Sequence, residues 1–176
     1  MIATTLPARP EFIETTCPND ALVLIDWDNV AAAGLAGVRR ALHSIARRHR
    51  IVSIRAYGEW TMHHRLGQEL ARLGSQLIHI PSNLRGKNSA DMQLTVDALC
   101  TTFACPTIKT IGLLSGDRDF APLIRELRKR GCATLGFGCN DSSSQQLRDM
   151  CDEFEYLASQ KKTNSMVTTA SGTATT

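Results

Sequence analysis

Ala21-Leu22-Val23-Leu24-Ile25-Asp26 decides the fold: five consecutive apolar residues end on a carboxylate. A strand with one wet face alternates apolar and polar side chains. An unbroken apolar run of this length fits a central parallel strand covered on both faces. An acid at the end of such a strand is costly to bury unless something binds it. Asp26 is therefore the first candidate functional residue.

Working outward, strand-like segments recur at Ile51–Tyr57, Gln76–Ile80, Thr110–Leu114 and Ala133–Phe137. Helical periodicity fills the intervals. Leu35, Val38, Leu42 and Ile45 form one apolar stripe, leaving Arg39, Arg40, Arg47 and Arg48 largely outward. Met92, Val96, Leu99 and Phe103 predict the buried face of a helix before the fourth strand. Phe120, Leu123, Ile124 and Leu127 do the same after it, with Gly131 as the C-cap. The serines 142–144 are placed to cap a last helix running to about Leu157. This alternation predicts a Rossmann-like, three-layer α/β/α domain with a central parallel sheet, right-handed crossovers and strand order 3-2-1-4-5. The domain is expected to span residues 21–158. Residues 1–20 read as a flexible arm, and the Ser/Thr/Ala/Gly-rich residues 159–176 as a disordered tail.

Composition narrows the functional classes. At 176 residues the chain can bury a core without staples. No apolar run approaches the roughly 18 residues needed to span a bilayer, and no signal-peptide pattern opens the chain, so the expectation is a cytoplasmic, membrane-free protein. The six cysteines (17, 100, 105, 132, 139 and 151) match no zinc spacing and are expected to be buried thiols. The five histidines offer no ligand pattern either. There are 20 Lys and Arg against 17 Asp and Glu. Once Asp26, Asp28, Asp91, Asp117 and Asp119 are set aside, 12 acids face the 20 bases, an excess of eight positive charges. A basic body around a local acidic spot suits a metal-dependent enzyme acting on nucleic acid, and equally an ordinary solvated surface.

The acids gather by topology. Asp26, Asp28 and Asn29 follow the first strand, while Asp117 and Asp119 follow the fourth. In the order 3-2-1-4-5 these strands are neighbours at the switch point, where ligands of open parallel sheets bind. Asp91 opens a helix after Arg85-Gly86-Lys87-Asn88-Ser89 and can face the same crevice. Converging carboxylates raise one another's pKa. Mg²⁺ or Mn²⁺ offsets that repulsion, lowers the pKa of a bound water and braces a phosphodiester. Plainer roles exist for two of them. Asp119 can cap a helix that carries Pro122 in its first turn, and Asp91 can complement a helix dipole.

At these positions the sequence resembles the NYN domain family, a branch of the PIN-like nucleases. The resemblance rests on Leu24-Ile25-Asp26-Trp27-Asp28-Asn29-Val30, on Lys87-Asn88-Ser89-Ala90-Asp91 followed by Val96-Asp97-Ala98-Leu99, and on Leu114-Ser115-Gly116-Asp117-Arg118-Asp119-Phe120-Ala121-Pro122-Leu123. Gly131, the run Gly136-Phe137-Gly138, and Ser144, Leu147, Asp152 and Phe154 extend it to roughly residues 21–157. It implies a PIN-like fold and a Mg²⁺- or Mn²⁺-dependent ribonuclease. In that reading Asp26, Asp91 and Asp117 carry metal with Asp119 as a fourth acid, Asn29 holds the geometry, and Ser115 and Gly116 meet a phosphate. Lys87 reaches toward a substrate phosphate, although the family often has its basic residue closer to the aspartate. Asp28 stands beside the first acid. Asp97 also matches a frequent family acid, but lies about 240° round a helix from Asp91, so it is ranked structural or supporting.

The implied partner is RNA, single-stranded by preference; a second copy of the chain or a protein partner stays open. Arg39, Arg40, Arg47, Arg48, Arg50, Arg125, Arg128, Lys129 and Arg130 are the candidates for tracking its backbone, and Trp27, Tyr57 and Trp60 for stacking on its bases. Ordinary helix faces and core packing account for the same residues. Two rival functions compete with the nuclease. Asp26-Trp27-Asp28-Asn29-Val30 satisfies the D-x-D-x-T/V string of haloacid-dehalogenase-like phosphatases, which would make Asp26 a nucleophile. A non-catalytic RNA- or protein-binding module is the other.

Overall fold

A computed structural model describes residues 19–81 and 89–159. Residues 1–18 of the expected arm, the expected tail beyond residue 159, and Lys87 lie outside the described residues. Asp20, expected at the end of the arm, instead opens the first strand and is buried. The strands are β1 (Asp20–Asp26), β2 (Arg50–Gly58), β3 (Ser75–His79), β4 (Ile108–Leu114), β5 (Ala133–Cys139) and β6 (Glu153–Leu157). The helices are α1 (Trp27–Val30), α2 (Gly34–Ala46), α3 (His64–Arg72), α4 (Ser89–Ala104), α5 (Ala121–Lys129) and α6 (Gln145–Met150).

The sheet runs β3-β2-β1-β4-β5-β6, and every pairing is parallel. The expected order 3-2-1-4-5 holds, with one strand added at its end. Residues 21–25 of β1 are all 0% exposed, as the unbroken apolar run requires. On one face α2 and α3 bury Val38, Ala41, Ile45 and Leu70 against Val23, Ile25 and Ala56. On the other, α4, α5 and α6 bury Leu94, Ala98, Leu123, Ile124, Leu127 and Leu147 against Leu22, Leu24 and Leu113. Gly112 lets α2 approach β4, since a Cβ there would stand 2.5 Å from the Ile45 side chain. Gly131 follows α5 at φ +71°, the left-handed C-cap its sequence position suggested. Among the described residues no helix is long and apolar enough to cross a membrane.

Four expectations are corrected. The last helix does not reach Leu157: α6 stops at Met150, and Glu153–Leu157 pairs with β5 as an edge strand. Aromatic Phe154 and Tyr156 alternate there with acids, a period of two that favours a strand. On α4 the buried residues are Leu94, Ala98 and Thr102, while Met92, Val96 and Phe103 are exposed. The helix is rotated because hydrogen bonds fix its other side: Tyr57 donates to Asp97, and Arg55 to Thr101. Cys100 and Cys105 are exposed thiols on and just after this helix, whereas Cys132, Cys139 and Cys151 are buried as expected. Finally, Trp27, Tyr57 and Trp60 are buried, so none presents a face to a base. The Trp60 indole N–H donates to the Ile78 carbonyl, and the Tyr57 hydroxyl is taken by Asp97.

Candidate functional site

Register sets the centre. Ile25 lies opposite Leu114, so Asp26 and Ser115 sit side by side, each one step beyond that pair at the carboxyl edge of neighbouring strands. Both are buried, Asp26 at 2% and Ser115 at 0% exposure. The Ser115 hydroxyl donates to Asp26 Oδ2 at 3.1 Å, and the Asn29 amide donates to the same oxygen at 2.6 Å. Asn29 reaches back because α1 starts immediately after the strand and turns it over Asp26. Among the described residues no donor reaches Asp26 Oδ1.

Ser115 also organises the second acid. Its Oγ accepts from the Asp117 backbone N–H at 3.1 Å, and Asp117 Oδ1 in turn accepts from the Asp119 N–H at 2.9 Å. Asp117 therefore caps the 3₁₀ turn Arg118–Phe120 that leads into α5. This corrects the alternative in which Asp119 is the cap: Asp119 lies inside the turn, its side chain exposed. Gly116 fits where no side chain would, since a Cβ would stand 2.8 Å from the Ser143 Cα and 3.0 Å from the Ser142 carbonyl.

The rotation of α4 brings Asp91 to the site. At 100° per residue, Asp91 falls on the same face as Leu94, Ala98 and Thr102, the face turned to the sheet. Burial raises its pKa, and the charges of Asp117, Asp119 and Asp28 raise it further. Asp26 is pushed up to about 6, by burial first; the charges of Asp91 and Asp28 add to this, while the hydrogen bonds from Asn29 and Ser115 oppose it. The five motif acids thus share one electrostatic neighbourhood. Asp97 is elsewhere, accepting from Tyr57 on one oxygen and from Gln93 on the other.

Among the described residues no three His, Cys, Asp or Glu side chains stand together in a metal-ligating arrangement. The donor set nevertheless suits a hard cation. It consists of carboxylate oxygens alone, they destabilise one another when charged, and Asp26 keeps Oδ1 clear by receiving both hydrogen bonds on Oδ2. Mg²⁺ commonly binds through one or two carboxylates and retains waters, which such a loose arrangement can satisfy.

The sequence-level reading of the basic residues treated them alike, and the structure separates them. Arg39 pairs with Glu69, Arg48 with Glu153, Arg50 with Asp20, and Arg128 with Asp152, while Lys129 and Arg130 share Glu126. Arg118, absent from that reading, stands between the two acids of its own turn. Its position inside Gly116-Asp117-Arg118-Asp119 was the available signal.

A parallel α/β sheet with acids gathered at its switch point defines the class, a PIN-like domain. The NYN domain model matches residues 20–158, and the chain belongs to that family, whose members are generally nucleases. The fold is also similar to that of a protein of unknown function from Vibrio parahaemolyticus RIMD 2210633, at TM-score 0.66 and 21% identity, covering 83% of this chain and 97% of that one. No curated protein matches the chain.

Proposed function

We propose that this protein is a divalent-metal-dependent endoribonuclease that hydrolyses single-stranded RNA at the Asp26–Asp91–Asp117 cluster, with Asp119 as a fourth acid and Mg²⁺ or Mn²⁺ as cofactor. The observation that carries it is the convergence of these carboxylates at the ends of β1 and β4 and the start of α4, around an Asp26 whose Oδ2 is already held. Membership in a nuclease family supports the same reading.

Each residue has a part. Asn29 and Ser115 hold the Asp26 carboxylate through Oδ2 and leave Oδ1 without a donor among the described residues. Asp117 is fixed by its own turn, and Asp91 arrives on α4. When bound, the cation supplies an activated water and screens charge on the phosphodiester. Gly116 lines the depression beside Asp117, the space of its missing side chain taken by the Ser142–Ser143 backbone, and Ser115 is buried with its hydroxyl given to Asp26. Asp28 adds negative charge nearby, Lys87 is proposed to meet a substrate phosphate, and Asp97 secures α4 to β2 through Tyr57.

A phosphatase role for Asp26 fares worse. The match of the chain to the NYN domain over residues 20–158 favours the nuclease, and strong turnover of small phosphomonoesters without RNA cleavage would favour the phosphatase. Incubating labelled single-stranded RNA with the wild type in Mg²⁺, Mn²⁺ or EDTA tests the proposal. Cleavage in metal, absent in EDTA and in Asp26→Asn, is expected. RNA bound but never cut would leave a binding module in its place.

A further inference from the structure

Three adjoining depressions cross the carboxyl edge of the sheet. The middle one, about 350 Å³, is bounded by Asn29, Asp117, Arg118, Asp141 and Ser143. Beyond Arg118 it meets a second of about 450 Å³, which holds Asp119, Pro122, Arg125 and Gln146. Beyond Asp141 it meets a third of about 520 Å³, which holds Arg40, Asn140 and Tyr156. Arg118 borders the middle and second depressions and Asp141 the middle and third, so the three form one open row, a track. Asp117 lies in its middle part and Asp119 in the second; Asp26 and Asp91 line none of the three.

Arginines without a strong ion pair mark the track; off it, Arg47, Arg65 and Lys109 are also exposed and make no ion pair among the described residues. Among the described residues, six of the basic side chains considered above are neutralised by acids of their own surface. Arg40 and Arg125, at the two ends of the track, make no ion pair among the described residues. Arg118, between them, meets only Asp119, at 4.0 Å with both side chains more than half exposed, which is a weak hold in water. Three exposed guanidinium groups thus line a path that passes Asp117 and Asp119. Tyr156, 39% exposed, offers an aromatic ring at one end, and the Arg148 guanidinium lies 5.5 Å from its centroid.

Guanidinium groups spaced along an open groove with an exposed ring match a single nucleic-acid strand, whose phosphates need cations and whose unpaired bases need a stacking face. We propose that single-stranded RNA crosses the sheet edge along this track, its phosphates held by Arg125, Arg118 and Arg40 and one base stacked on Tyr156. The proposal rests on the nuclease reading for which strand is bound, and names where that strand enters and leaves. Serines 142–144 line the middle section as neutral donors and acceptors.

The test is fluorescence anisotropy with a labelled twelve-nucleotide oligo(U) RNA in EDTA, so that no strand is cut, across a range of KCl concentrations. Arg118→Ala and Arg125→Ala are each expected to weaken binding about three- to tenfold, and to make the log–log salt dependence shallower by about 0.7. Tyr156→Ala should weaken it at least about fivefold. Arg72→Ala removes the same charge from an α3 side chain paired with Glu69, and should bind as the wild type does. If the track variants bind no more weakly than Arg72→Ala, the track is wrong, even where the wild type cuts RNA in Mn²⁺. Duplex RNA bound as tightly as the single strand would overturn it too. Selective loss of binding in the track variants, beside a wild type that never cuts, would uphold the track and remove the nuclease reading.

Discussion

The buried carboxylate at the end of β1 should make metal-free protein lose stability as pH rises. Asp26 ordinarily titrates at 3.8 and in the fold at about 6, chiefly because burial disfavours its charged form. The folded state therefore holds this proton more tightly than the unfolded chain. Below pH 3.8 Asp26 imposes no penalty. Between about pH 4 and 6 the penalty grows, and above pH 6 it is complete at about 3 kcal/mol. Replacing Asp26 with Asn removes the titration, and the fixed cost of fitting an amide cancels when one variant is compared with itself across pH. Relative to wild type, Asp26→Asn should therefore gain about 2.4 kcal/mol between pH 4 and pH 7, equivalent to about 5–10 °C in Tm at this chain length. Urea unfolding in EDTA, followed by the fluorescence of buried Trp27 and Trp60, reads this directly. A stability difference that stays constant within about 0.5 kcal/mol over that range would refute the account of Asp26 as a strained, desolvated acid.

Other consequences follow from the same geometry. Mn²⁺ at about a hundred times its dissociation constant should stabilise the wild type at pH 7.5 by about 2.7 kcal/mol in thermal unfolding, and Asp117→Asn should lose most of that gain. Leu94→Ala should cost about 2–5 kcal/mol, whereas Met92→Ser should stay within about 0.5 kcal/mol of wild type; equal costs in urea melts would mean that α4 is rotated otherwise. Gly116→Ala should destabilise the protein by about 1–3 kcal/mol, because its methyl meets the Ser143 backbone, and should slow RNA cleavage without changing the metal requirement.

The sequence carried the centre of the molecule well. Ala21–Asp26 has one sensible reading because an apolar run of that length needs cover on both faces, and the order of strands then brings Asp117 beside it. The rotation of α4 was not legible in the same way. Leu94 and Ala98 mark one apolar face, and Met92, Val96, Leu99 and Phe103 mark another, so periodicity cannot choose between them. Tyr57 and Arg55 choose, through bonds to residues some forty positions away. The strand at Glu153–Leu157 was visible as an alternation but lay behind a good helix cap at Ser144, which draws the helix too far. Which arginines are free is a tertiary fact as well: Arg48 is matched by Glu153, 105 residues distant in the chain. In the site, Ser115 proved more central than its motif position suggests, because its one hydroxyl links Asp26 to the Asp117 turn.

A circular single-stranded RNA has no ends, so only an endonuclease can open it. Incubated with the wild-type protein and Mn²⁺, such a circle should first become a full-length linear strand. It should remain closed in EDTA, and with Asp26→Asn opening should be at least about a hundredfold slower while the variant retains its fold. A circle left intact by the wild type in every metal, or opened equally well by Asp26→Asn, would contradict the assignment of metal-dependent RNA cleavage to this acidic cluster.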